Sequence, residues 1–209
     1  MKKIALLILV CVIGVSLSAY ESGFVVFGGA TMSWASDDFS DADSKIGFHG
    51  GVSMEHFGVI ENAIFETGIR FNMKGFTFSE SESEYGYSYS FEEDVSINYI
   101  DFFAKAKLDI GDLPIYPYFG AYAAFMLSAN SSGYFRDNYS NDSWDEDIKD
   151  ELNTLDFGLL LGADLVFQDK FYIGVGFDLG LSKFFEDKYG GETWSAKTRA
   201  VLFSVGYIF

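Results

Sequence analysis

Residues 155–167 read Leu-Asp-Phe-Gly-Leu-Leu-Leu-Gly-Ala-Asp-Leu-Val-Phe, and residues 171–185 read Phe-Tyr-Ile-Gly-Val-Gly-Phe-Asp-Leu-Gly-Leu-Ser-Lys-Phe-Phe. In the first stretch the odd positions are apolar throughout, from Leu155 and Phe157 to Leu165 and Phe167. The even positions carry Asp156, Gly158, Gly162 and Asp164. The second stretch repeats the pattern, with Phe171, Ile173, Val175, Phe177 and Leu179 opposite Gly174, Gly176, Asp178 and Gly180. A two-residue period belongs to an extended strand with unlike faces, not to a helix.

The same alternation runs outward from this pair. Phe65, Ile69, Phe71 and Met73 oppose Glu66, Arg70, Asn72 and Lys74. Ile100, Phe102, Ala104, Ala106 and Leu108 oppose Asp101, Lys105 and Lys107, while Ile46, Phe48, Val52 and Met54 oppose Lys45, His49, Ser53 and Glu55. Strands are expected near 22–34, 45–57, 62–78, 95–109, 115–129, 153–167, 171–185 and 194–209. In 24–34 and 115–129 both parities are apolar, and the facing stays open. Each segment is about ten residues or longer, as a tilted membrane-crossing strand requires.

The intervening segments alternate in length. Long ones follow the first, third, fifth and seventh strands, and short ones fall at 58–61, 111–114 and 168–170. That order is expected of short periplasmic turns and longer external loops. Most of the 31 Asp and Glu residues lie in the long segments, including Asp37, Asp38, Asp41 and Asp43, then Glu80, Glu82, Glu84, Glu92 and Glu93, then the stretch 130–152. Basic residues there are few: Arg136, Lys149 and Lys188. Asp142, Asp145 and Asp147 are crowded enough to chelate calcium but lack the glycine and closing glutamate of an EF-hand loop, so no metal site is assigned. Loop acids bridging to lipopolysaccharide through divalent cations, or meeting an extracellular protein, remain expectations. Tyr85, Tyr87 and Tyr89 either extend a hairpin or form a contact surface. Trp34 and Trp194 fall where strands meet external loops, as interfacial aromatics do.

The N-terminus carries Lys2 and Lys3, an apolar run from Ile4 to Val15, and the small residues Ser16, Ser18 and Ala19. This reads as a secretory signal over 1–19, exported through the Sec route, with residues 20–209 as the mature domain. The run is too short for a spanning helix. Cys11, the one cysteine among the 209 residues, leaves with the signal, so no disulfide holds the exported domain. A net charge of −17 excludes nucleic acid as a partner. Catalysis is not expected: the two histidines, His49 and His56, stand in no nucleophile motif, and no cofactor is implied.

Two architectures would produce such faces. A membrane barrel turns the apolar side to lipid and the polar side to a lumen. A soluble exported barrel would instead line its interior with Phe157, Leu159, Leu161, Phe177 and Leu179 and bind a small apolar ligand there. Bulky residues on nearly every strand, and a glycine-rich opposite face with charges of both signs, favour the membrane. On that reading Glu66, Arg70, Lys74, Asp101, Lys105, Lys107, Asp156, Asp164 and Asp178 form an ion-pair network that fills a narrow lumen.

The chain closes Val205-Gly206-Tyr207-Ile208-Phe209. This resembles the C-terminal signature by which outer-membrane proteins are recognised by the barrel-assembly machinery, with Phe209 and Tyr207 as the signal residues. The whole mature chain resembles the small eight-stranded outer-membrane barrels of the OmpA/OmpX type, and in particular the PorT-like family. Asn98–Lys107 followed by Pro117–Ala121 resembles that family's central hairpin, and Asp156–Ala163 its penultimate one. The resemblance implies an all-β, eight-stranded antiparallel up-and-down barrel in the bacterial outer membrane. It also implies a structural or adhesive role through the external loops.

Overall fold

The structure is a computed structural model, and it describes residues 21–37, 42–84, 87–111, 113–189 and 192–209. The signal segment 1–19 therefore lies outside the described residues, as do Asp38 and Asp41. The elements are β1 (Glu21–Asp37), β2 (Asp43–Ile60), β3 (Ala63–Glu84), β4 (Tyr87–Leu108), β5 (Ile115–Asp137), β6 (Asn141–Asp147), β7 (Leu155–Phe167), β8 (Phe171–Gly180), β9 (Phe185–Tyr189) and β10 (Glu192–Ile208), with one 3₁₀ turn at Lys149–Glu151. All pairings are antiparallel. β1, β2, β3, β4, β5, β7, β8 and β10 form an eight-stranded ring, closed where β10 returns to pair with β1. Among the described residues no helix is long and apolar enough to cross a membrane.

The ring closes with a defined stagger. Following hydrogen-bonded neighbours from Leu165 leads to Ile173, Val205, Gly28, Gly50, Phe71, Ile100, Phe125 and back into β7 at Leu155. One circuit thus slips ten residues along β7, all on the outer face. Stagger fixes tilt, and for eight strands it gives roughly the 35–45° and narrow bore of a small barrel.

Side-chain direction decides between the two architectures. Leu159 and Leu161 are 43% and 49% exposed, whereas Asp156, Asp164 and Asp178 are at most 2% exposed. Phe157, Phe177 and Leu179 share the outer face, so these residues do not line an interior ligand cavity. Phe48, Phe102, Phe119, Ile173, Phe203 and Val205 continue the exposed apolar belt around the ring. A belt of that extent on a protein in water would drive association, and hydrocarbon is the solvent that suits it.

The two open facings resolve. In β1, Val25, Thr31, Ser33 and Ala35 point inward while Phe24, Val26 and Met32 point out. In β5, Tyr122, Ala124 and Met126 point inward, but the register with β4 slips between Asn98 and Tyr99, leaving Leu127 as an extra, exposed residue. Beyond this bulge the parity reverses, and Ala129 and Ser131 become the inward residues.

Several expected loops are strands. β3 and β4 continue as one hairpin up to Glu84↔Tyr87, so most of 79–94 is paired ribbon. Tyr89 donates to Glu80 at 2.7 Å within it, which supports the hairpin reading of the tyrosine run, although the side chains of Tyr85 and Tyr87 lie outside the described residues. Within 130–152, β5 runs to Asp137 and pairs with β6 before the 3₁₀ turn. There β3, β4, β5 and β6 pair side by side as a four-stranded extension of the wall, rich in Ser, Asp and Glu, which is why composition reads it as loop. β8 stops at Gly180, short of the expected 185, and Phe185 begins β9, which pairs with β10. The first short turn falls at Glu61–Asn62, with Asn62 at φ 60°, and not across 58–61.

Placing a charge on the lipid face tests this orientation. Leu161→Arg is expected to lower stability in phospholipid vesicles by about 2–4 kcal/mol. Ser81→Arg on the ribbon is expected to stay within about 0.5 kcal/mol. Heat-modifiable gel migration and denaturant titration give both values.

Candidate functional site

The inward faces of the strands meet in a lumen with two layers. Nearest the short turns, Lys107 Nζ lies 2.5 Å from Glu66, 2.7 Å from Glu55 and 2.9 Å from Asp164. Lys105 reaches Glu66 at 3.1 Å and Asp164 at 3.4 Å. Ser53 donates to Glu66 at 2.8 Å. One step along the axis, Arg70 spans the bore. Its Nε and Nη2 donate to Asp101 at 2.9 and 2.6 Å, and Nη2 also reaches Asp178 at 2.6 Å. Asn72 donates to the same Asp101 oxygen at 3.1 Å. Lys74 sits 3.4 Å from Asp156 and 3.9 Å from Asp178. Asp156 further accepts from Tyr122 and Thr198, both at 3.0 Å, and from Ser182.

All nine of the expected lumen charges therefore meet inside the ring, in two clusters. Sequence reasoning left out Glu55, although its parity with Ser53 and His49 on β2 places it on the inner face. It also left out the tyrosines that jacket the cations. Lys74 Nζ stands 4.6 Å from the Tyr122 ring centre and 5.3 Å from that of Tyr99. Lys105 lies 4.4 Å from Tyr118, and Lys107 5.3 Å from Tyr172. Such contacts stabilise a desolvated ammonium. The inner-face glycines make room for these rings. A Cβ on Gly162 would come within 2.5 Å of Tyr118, and one on Gly206 within 2.2 Å of Tyr172.

Toward the ribbon end the lumen becomes apolar. Val95, Ile97, Met126, Ala129 and Phe184 are buried there beside Tyr99 and Tyr122. The cavity ringed by the ion pairs, between Arg70, Lys105, Asp164 and Asp178, amounts to about 30 Å³. That is room for about one or two waters.

The histidines have defined settings. His49 contacts Ser204 Oγ at 2.9 Å through Nε2 and Thr31 Oγ1 at 3.1 Å through Nδ1. A serine–histidine contact normally needs a carboxylate behind the imidazole and space for a substrate. Here a threonine hydroxyl occupies that place, and Ser204 opens onto the 30 Å³ cavity. His56 meets Thr67 at 3.1 Å. Among the described residues no group of three or more His, Cys, Asp or Glu is placed to hold a metal ion. β6 separates Asp142 from Asp145 and Asp147, which fall on the opposite parity.

At the turn end the chain terminus is tied in. Phe209 N–H donates to the Phe24 carbonyl at 2.8 Å, and its ring lies 4.7 Å from Tyr207 and 6.0 Å from Phe24. At the other end, Trp34 lies 6.1 Å from Phe177 on the outer surface, while Trp144 stacks on Phe91 at 5.7 Å. The Trp194 side chain lies outside the described residues.

Removing one member of a buried charge cluster strands its partners. Arg70→Ala is expected to lower stability by about 3–5 kcal/mol, measured by urea titration in vesicles. Combining Arg70→Met with Asp101→Asn and Asp178→Asn is expected to recover most of that loss. No recovery would show that Arg70 acts by something other than neutralisation.

No curated protein matches the chain. Among solved structures, Neisserial surface protein A is similar at 16% identity, with 90% of this chain and 99% of that one covered and a TM-score of 0.47. Ail, the attachment invasion locus protein of Yersinia pestis, in complex with the heparin analogue sucrose octasulfate, is similar at 14% identity, with 90% and 99% covered and a TM-score of 0.42. OprG from Pseudomonas aeruginosa follows at 10% identity, with 92% and 97% covered and a TM-score of 0.40. Residues 14–186 match the outer membrane protein beta-barrel domain. With its closed ring and outward apolar belt, the chain belongs to that family and resides in the bacterial outer membrane.

Proposed function

We infer that this protein is a non-conducting, non-enzymatic outer-membrane barrel whose work is structural or adhesive, done through the acidic ribbons that rise from one rim. The observation that carries the reading is the filled lumen. Two ion-paired clusters and an apolar layer succeed one another along the axis, and the cavity where the two clusters meet amounts to about 30 Å³. Substrate passage needs a continuous bore, and catalysis needs a reachable site beside a nucleophile. The filled lumen argues against the first, and the closed surroundings of His49 and Ser204 argue against the second.

Partners follow from the surfaces. Lipid and lipopolysaccharide meet the belt and the rim, and the barrel-assembly machinery reads the strand ending in Tyr207 and Phe209. An extracellular protein, or divalent cations bridging to anionic sugars, would meet the ribbons. Residues 1–19 act as the export signal. Within the family, kinship to the PorT-like barrels rests on the hairpins Asn98–Ala121 and Asp156–Ala163.

Planar-bilayer recording tests the sealed lumen. The wild type is expected to give no large, steady openings. Steady wild-type openings of large conductance would refute the reading. For the adhesive role, cells displaying Asp142→Asn/Asp145→Asn/Asp147→Asn are expected to bind extracellular-matrix proteins differently from wild type. Identical binding across several matrix proteins would leave the ribbons as shielding only.

A further inference from the structure

Above the apolar layer the lumen opens into a cup of about 300 Å³ at the ribbon end. Its wall is aromatic and aliphatic: Phe76, Phe78, Trp144, Ile148, Leu152 and Phe184. The floor is sealed. Phe76 packs edge-on against Phe78 at 5.4 Å and at a tilt against Phe184 at 5.9 Å, in one buried cluster with Ile97 and Tyr99. Among the described residues the polar groups on the lining are Glu93, Glu146, Glu151 and Ser131, with no lysine or arginine. Glu93 is held in place, because Ser131 Oγ donates to it at 2.6 Å and in turn accepts from the Trp144 indole N–H at 3.3 Å.

These features select a ligand class. The volume is at the lower end of small-molecule sites, which are apolar with a few fixed polar groups. An anion would face three carboxylates within a chain of net charge −17. A neutral apolar molecule would fill the cup but cover carboxylates without pairing them, at the cost of their hydration. A cation with an aromatic or branched alkyl body satisfies both parts. Its body displaces water from the Phe and Trp wall, and its ammonium meets the carboxylates and the Trp144 face. The acidic ribbons around the mouth raise the local concentration of such cations.

We propose that this cup is a binding site for small hydrophobic ammonium compounds, held by Glu93, Glu146 and Glu151 over the Trp144–Phe78 wall, and closed below so that the ligand is captured and not passed through.

The test uses the full-length protein folded in zwitterionic micelles, with 2-phenylethylammonium titrated calorimetrically against a micelle-only baseline. Phenylacetate and 2-phenylethanol serve as the anionic and neutral counterparts. A Kd on the order of 0.1–1 mM is expected for the cation, at least tenfold tighter than for either counterpart. Glu93→Gln/Glu146→Gln/Glu151→Gln is expected to weaken it fivefold or more, and Leu152→Trp, which fills the cup, to abolish it. Heat-modifiable migration establishes that each variant has kept its barrel, and Ile148→Trp replaces Leu152→Trp if the latter does not fold. Absent binding, equal affinity for the three probes, or weakening by the glutamine changes without loss on filling would overturn the proposal. The last outcome would place the cation on the outer ribbons instead.

Discussion

Hydrocarbon offers the backbone no hydrogen-bond partner, and everything else in this fold follows from meeting that demand. The pairing of Val25 through Asp37 with Ile208 through Ala196 removes the sheet's two free edges at one seam. Once the ring is closed, each residue has only two directions to point, and the period-two pattern assigns them. Bulky Leu, Ile and Phe go to the lipid. What remains must fill a bore of eight strands, where a single unpaired charge costs several kcal/mol. Neutralisation inside and greasiness outside are thus one constraint seen from two sides.

The bore solves its part by layers. Lysines and the arginine draw their acids from strands on opposite sides, so that Arg70 on β3 joins Asp101 on β4 to Asp178 on β8. Such cross-bore links tie non-adjacent strands together, which the ladders alone do not do. Six carboxylates (Glu55, Glu66, Asp101, Asp156, Asp164 and Asp178) face four bases; Ser53, Asn72, Tyr122, Ser182 and Thr198 donate further to the acids, and tyrosine ring faces flank the lysines. Glycine at 162 and tyrosine at 118 are two halves of one packing decision, since the ring occupies the space a side chain would take.

Much of this was legible in residue order, and the failures have specific causes. β3, β4, β7 and β8 were readable because their inner faces carry charges, which mark parity unmistakably. β1 and β5 were not, because their inner faces carry no charge: Val25, Ala35, Tyr122, Ala124 and Met126 have the same character as lipid-facing residues. The bulge at Leu127 compounds this by reversing the pattern midway, and no local signal in Phe125-Met126-Leu127-Ser128 announces it. The ribbons were hidden for the opposite reason. Tyr87, Tyr89 and Phe91 alternate with Ser88 and Ser90, but β6 and the far ends of β3 and β5 are held by backbone pairing and polar contacts such as Tyr134 to Glu92 at 3.1 Å, with no apolar alternation to mark them. Glu55 was missed as a lumen charge because its partner, Lys107, lies 52 residues away in sequence.

The hairpin of β3 and β4 is 22 residues a side. At about 3.3 Å per residue and a tilt of about 40°, it stands on the order of 55 Å tall, against an apolar band of about 25 Å. Starting from the turn at Glu61–Asn62, roughly half of that height lies beyond the apolar band. The protein is therefore proportioned less like a plug than like a mast. Shortening the hairpin by a few residue pairs would lower that height stepwise without disturbing the wall beneath it.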